Sequence, residues 1–145
     1  MHNRRARSVL RCGEHGAWCL GQREDNVAKF RFEDLEIWQR AVAVGNELLD
    51  IADELEGRKL YRFADQVRGA ALSISNNIAE GSGSYSNKEF AQFLNIAKRS
   101  CFEDANMVIV FSLRGLIRDT QKDHLLEKLD TLSRKIESFR KSLTK

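Results

Sequence analysis

From residue 34 onward the apolar positions recur at three- and four-residue steps in four separate blocks, which is the period of amphipathic helix. The first block predicts a helix from about Asp34 to Glu56, with Leu35, Trp38, Ala41, Val42, Gly45, Leu48, Leu49, Ala52 and Leu55 along one side. Asp34 reads as its N-cap and Gly57 as its stop. The second predicts a helix from about Leu60 to Glu80, with Phe63, Val67, Ala70, Ala71, Ile74 and Ile78 on one face. The third opens at Ser86-Asn87-Lys88-Glu89, a capping box in which the serine hydroxyl and the glutamate carboxylate satisfy free N–H groups reciprocally. Its stripe is Phe90, Phe93, Leu94, Ala97, Cys101, Val108, Phe111 and Gly115. The fourth runs from about Thr120 to Leu143, through Leu125, Leu129, Leu132, Ile136 and Phe139. Each block has one apolar stripe and one charged face, and the connections are short. The expected fold is all-α, an antiparallel up-down four-helix bundle over residues 30–145.

Polar residues interrupt the second block in an ordered way. At 100° per residue, Gln66, Ser73, Asn77 and Glu80 form a row beside the apolar stripe, and Gly69 lies just beyond it. Such a border lets a neighbouring helix come close and offers it hydrogen bonds. Asn77, nearest the apolar centre, is expected to find a backbone or side-chain partner. Gly81 is expected to end the helix in a left-handed cap. A catalytic reading would need a titratable partner for Glu80, and no histidine occurs between His15 and His124.

The chain has 145 residues, no proline and 31% charged residues, which favours long uninterrupted helices in one domain. No apolar run is long enough to span a membrane. Residues 1–29 hold six basic and three acidic groups, so the net +3 belongs to this segment and the body is neutral. The segment has no sustained period and lacks the apolar stretch of a secretory signal. It is expected to be a basic, disordered extension. Cys12, His15 and Cys19 lack the paired ligand spacing of zinc sites, so no metal is expected, and no other cofactor. Cys101 reads as a small buried thiol, and the cysteine usage points to a reducing, cytoplasmic setting.

Within the body the charge is uneven. Residues 33–57 carry eight acids against Arg40, whereas the three following helical regions are each mildly basic. An acidic helix facing a basic surface of the next subunit would build a head-to-tail ring, with Trp38, Phe93 and Phe111 as apolar anchors. Candidate phosphate contacts for a nucleic acid are Arg58, Lys59, Arg62, Lys98, Arg99, Arg134, Lys135, Arg140 and Lys141, with Tyr61 and Tyr85 placed for base stacking.

The strings "FEDLEIWQRA" and "QVRGAALSISNNIAEGSGSYSNKEFAQFLNIAKRS", with Glu103, resemble the 23S rRNA intervening-sequence protein family over residues 30–118 and more loosely in the fourth block. The motif positions are Trp38, Gln66, Arg68, Asn77, Glu80, Gly81, Ser86, Glu89, Phe90 and Glu103. The resemblance implies a four-helix bundle assembled as a homopentamer. A related branch, the accessory variability proteins of diversity-generating retroelements, works with RNA and a reverse transcriptase. Asp104 stands where the family usually has an apolar residue and Ala105 where it tends to have Glu, so only Glu103 of an acidic row is carried over. The expected function is a non-enzymatic oligomeric scaffold that binds RNA or a ribonucleoprotein. The alternative is a protein–protein interaction module with no nucleic-acid role. No catalytic residues are expected, because no nucleophile–base pair or carboxylate cluster converges.

Overall fold

The computed structural model describes residues 27–145. The expected disorder of the basic extension and the cysteine–histidine group at Cys12, His15 and Cys19 therefore lie largely or wholly outside the described residues. A 3-10 turn, Arg31–Asp34, leads into four helices: α1 (Glu36–Gly57), α2 (Tyr61–Ser82), α3 (Asn87–Leu113) and α4 (Asp119–Leu143). Consecutive helices pack side by side, and α1 meets α4 to close the bundle more lightly. This is the antiparallel up-down bundle that the periodicity predicts.

Most of the core comes from the expected stripes, but in α1 Ile37, Val44 and Ile51, which that stripe omits, are buried, while Trp38, Val42 and Leu49 are only partly so. Leu48, Ile51 and Leu55 of α1 meet Val67, Ile74 and Ile78 of α2, Leu94 and Val108 of α3, and Leu125, Leu129, Leu132 and Ile136 of α4. Together these side chains remove a continuous apolar surface from water, which is the main force holding the bundle. In α2 the exception is Phe63. Its ring is 43% exposed, and Ala64 takes the buried position. The rest of the α2 stripe is buried as the wheel assigns, and Phe63 leans sideways onto Phe111, with ring centroids 5.9 Å apart.

The helix ends differ from expectation in instructive ways. Asp34 does not cap α1. It belongs to the preceding turn and pairs with Lys29 at 2.6 Å, leaving Leu35 at the N-cap without a side-chain bond. Gly57 does not stop α1 either, since Lys59 takes the left-handed position at φ 62°. The Leu60 N–H bonds the Leu55 carbonyl and the Lys59 N–H bonds that of Glu56, both at 2.9 Å. That pair of bonds is a Schellman motif.

Gly115 leaves the α3 stripe and makes the same motif at φ +70°, with Leu116 bonded to Phe111 at 2.8 Å and Gly115 to Ser112 at 3.0 Å. Gly81 is not a left-handed cap. It lies inside α2, where an added Cβ would come within 2.7 Å of both Phe90 Cδ2 and Phe93 Cβ. Its role is close helix approach. At Ser86 the expected cap forms, the Glu89 N–H donating to Ser86 Oγ at 3.2 Å. The glutamate reaches one residue further back than expected, to the Tyr85 N–H at 3.3 Å.

Candidate functional site

The polar row on α2 becomes a short hydrogen-bonded chain at the α2–α3 seam. Asn77 Nδ2 donates to the Ser73 carbonyl at 2.7 Å and to Ser73 Oγ at 3.1 Å. Ser73 Oγ in turn lies 2.8 Å from Ser100 Oγ on α3, which also donates to the Ile96 carbonyl. Asn77 thus finds its partner within its own helix, and the link between helices is made by Ser73 and Ser100. Gln66 and Glu80 are exposed, as is Glu103 on α3. Trp38 is partly buried against the core and tilts over Phe32 at 5.2 Å. Phe90 is buried and meets Phe139 edge-on at 5.6 Å.

Ion pairs absorb most of the charge asymmetry inside one chain. Arg68 bridges Asp53 at 2.9 Å and Glu56 at 2.6 Å, tying α1 to α2. Glu36 takes Arg40 and Lys135, while Glu47 takes His124 at 2.9 Å and Lys128. On the α3–α4 side Glu137 gathers Arg140 at 2.8 Å, Lys98 at 3.2 Å and Lys141 at 3.9 Å. The Arg140 and Lys98 hydrogen bonds hold the Glu137 carboxyl down at about 2. Arg134 pairs with Asp130 at 3.0 Å.

Of the nine candidate phosphate contacts, five are engaged in ion pairs within the chain, namely Lys98, Arg134, Lys135, Arg140 and Lys141, although Lys98, Arg140 and Lys141 share the single Glu137 carboxylate. Arg58, Lys59, Arg62 and Arg99 are exposed and have no ion pair among the described residues. Arg114 and Arg118, which the sequence pattern does not single out, share that condition. The signal that would have found them is topological. In an up-down bundle the α1–α2 and α3–α4 turns lie at the same end.

No catalytic constellation forms among the described residues. His124 has the carboxylate of Glu47 beside it but no nucleophile. The Cys101 thiol is pushed up to about 12, by burial and then by Asp104, so it is protonated and inert at neutral pH. Asp104 is 0% exposed, and its carboxyl is pushed up to about 7, chiefly by burial and then by Glu103. Among the described residues no group of three His, Cys, Asp or Glu side chains could hold a metal ion, and no helix is long and apolar enough to cross a membrane.

Surface apolarity is one-sided. Phe63 and Leu72 of α2, with Ile96, Phe102, Ile109, Val110 and Leu113 of α3, are exposed, while α1 and α4 expose no large apolar side chain. The anchors expected from the sequence are placed elsewhere: Phe111 is buried, and Trp38 and Phe93 are only partly accessible.

These features define a small antiparallel four-helix bundle whose chemistry lies on its surface. Residues 33–138 match the model of the 23S rRNA-intervening sequence protein family, and the chain belongs to that family. No curated protein matches the chain.

Proposed function

We propose that this protein is a non-enzymatic, self-associating scaffold whose partner is RNA or a ribonucleoprotein. The observation that carries the reading is the one-sided apolar surface. Seven large apolar side chains on α2 and α3 face water in the single chain, and exposed apolar area of this kind is a normal signature of an interface. A second copy is its occupant in this reading, seated on Leu72, Ile96, Phe102, Ile109 and Leu113 and leaving Phe63 and Val110 uncovered. Charge adds little, because four of the acids of α1 are already paired with α1, α2 or α4. A head-to-tail contact that closes into a ring, with five subunits as in the resembled family, accommodates such a surface. The family's name refers to ribosomal RNA, which supports RNA over a protein partner.

Light scattering at micromolar concentration tests the assembly. A mass several times 16.6 kDa that survives moderate salt is expected, and a monomer overturns it. Titration with ribosomal RNA fragments over a salt series tests the partner. A steep loss of affinity with salt is the expected result, and absence of binding at low salt leaves the protein–protein module as the answer.

A further inference from the structure

One end of the bundle collects cations that no single helix displays. The turn after α1 contributes Arg58 and Lys59, the first turn of α2 Arg62, and the α3–α4 turn Arg114 and Arg118. All five are exposed and without an ion pair among the described residues. The nearby acids are partly engaged: Glu56 holds Arg68, and Asp119 accepts from Ser112 Oγ at 2.5 Å and lies 4.0 Å from Lys122.

Beside this end a groove of about 170 Å³ opens between α2 and α3, lined by Phe63, Gln66, Asn106, Met107, Val110 and Phe111. Phe63 offers a partly exposed ring backed by Phe111. The Gln66 and Asn106 amides are exposed and have no hydrogen-bond partner among the described residues. Tyr61 stands at the start of the same helix, 57% exposed.

We propose that this end is a docking site for single-stranded RNA, with phosphates on the five cations and an unpaired base in the groove. The inference rests on the RNA reading above and gives it a location and a strand class. Single strands are recognised by stacking on aromatic rings and by hydrogen bonds to base edges, whereas a duplex hides those edges in its stack. An aromatic wall with two free amides meets both needs, since each amide can donate and accept. Charge complementarity selects a polyanion over a second copy. Of the acids of α1, Glu36, Glu47, Asp53 and Glu56 already hold cations of their own chain, so the α1 of a second copy would offer this end only Asp50 and Glu54 unpaired among the described residues, whereas an RNA strand offers a phosphate at every nucleotide.

The test is fluorescence anisotropy of the full chain with a mixed-sequence single-stranded RNA oligonucleotide and with its duplex, over a salt series. The wild type is expected to prefer the single strand by about tenfold or more. The triple variant Arg62→Glu/Arg114→Glu/Arg118→Glu should weaken binding at least about tenfold. It should also flatten the salt slope by about 2, at roughly 0.7 for each phosphate no longer neutralised. Phe63→Leu should weaken single-strand binding by about 5- to 160-fold, the range for removing one stacked base. Lys88→Glu, at the opposite end, should change nothing.

Absence of RNA binding by the wild type overturns the functional reading and the site together. Binding that the triple variant leaves intact overturns the site alone, and equal affinity for the duplex overturns the strand class. A triple variant whose mass falls in light scattering identifies the end as a subunit contact and overturns the proposal. Ultraviolet crosslinking of unmodified protein covers the case of a variant that does not fold. RNA-linked peptides are expected from residues 58–66 and 106–118, and crosslinks confined elsewhere refute the site.

Discussion

Asp104 is buried in the core with neither carboxylate oxygen hydrogen-bonded among the described residues, so its ionisation is coupled to folding. Its carboxyl lies near 7 in the fold against an ordinary value of 3.8. The folded chain therefore holds the proton more tightly than the unfolded chain between these values, and stability falls as pH rises through that window. Asp104→Leu removes the buried charge, and should raise the thermal midpoint clearly at pH 8 and much less at pH 4. A shift of this size corresponds to an effect on the order of 4 kcal/mol. Thermal melts of both proteins at the two pH values check it, and equal gains at both would contradict the titration account. Gly81 gives the opposite kind of case. Gly81→Ala drives a methyl into Phe93 Cβ and the Phe90 ring, which is itself wedged on Phe139. A loss of about 1–3 kcal/mol is expected by overpacking, read by urea unfolding.

At the scale of the element, two helix ends use the same Schellman geometry with different residues. Lys59 holds φ 62° with a side chain, whereas Gly115 holds φ +70° without one. A left-handed conformation costs an L-residue about 1–2 kcal/mol, partly offset by the extra backbone freedom that glycine has when unfolded. Lys59→Gly should therefore stabilise by up to about 1 kcal/mol. Gly115→Ala should destabilise by about the same amount, with nothing around the new methyl to clash. Paired denaturation curves separate the two, and a common sign would mean the turns do not follow the backbone logic. The α2–α3 seam is tied by Ser73 and Ser100, so Ser100→Ala should loosen it by about 1 kcal/mol.

For the whole molecule, the decisive property is that, among the four helices, large apolar side chains are exposed on α2 and α3 while α1 and α4 are laced by ion pairs. Ile96→Glu/Phe102→Glu places charge on the exposed apolar side without touching the core. It is expected to lower the assembly mass while leaving helicity unchanged, which light scattering and circular dichroism report together. An unaltered mass would move the subunit contact off α3. The Arg68 bridge to Asp53 and Glu56 also lies on the surface, and exposed pairs contribute at most about 1 kcal/mol each. Salt should accordingly shift the unfolding midpoint little.

The number of helices, their approximate spans, the Ser86 cap and most of the core were legible in the sequence, because helical period and side-chain polarity are local properties repeated over many residues. The family could be read from the residue string between Gln66 and Ser100. Helix ends were less legible. Asp34, Gly57 and Gly81 all carry the right chemistry for caps, and which residue takes the left-handed angle was decided by where the next helix had to begin. Gly81 in particular answers to Phe90 and Phe93, which the chain brings near only after it has turned. Charge misled most. The acidic excess of α1 is real in the sequence, yet its acids find Arg68, Lys128 and Lys135 across helix seams. Of the basic candidates, Lys98, Arg134, Lys135, Arg140 and Lys141 are paired and Arg58, Lys59 and Arg62 are not. Composition counts charges, but only the tertiary structure decides which are left for a partner. It does so because an ion pair forms over a few ångströms between residues far apart along the chain.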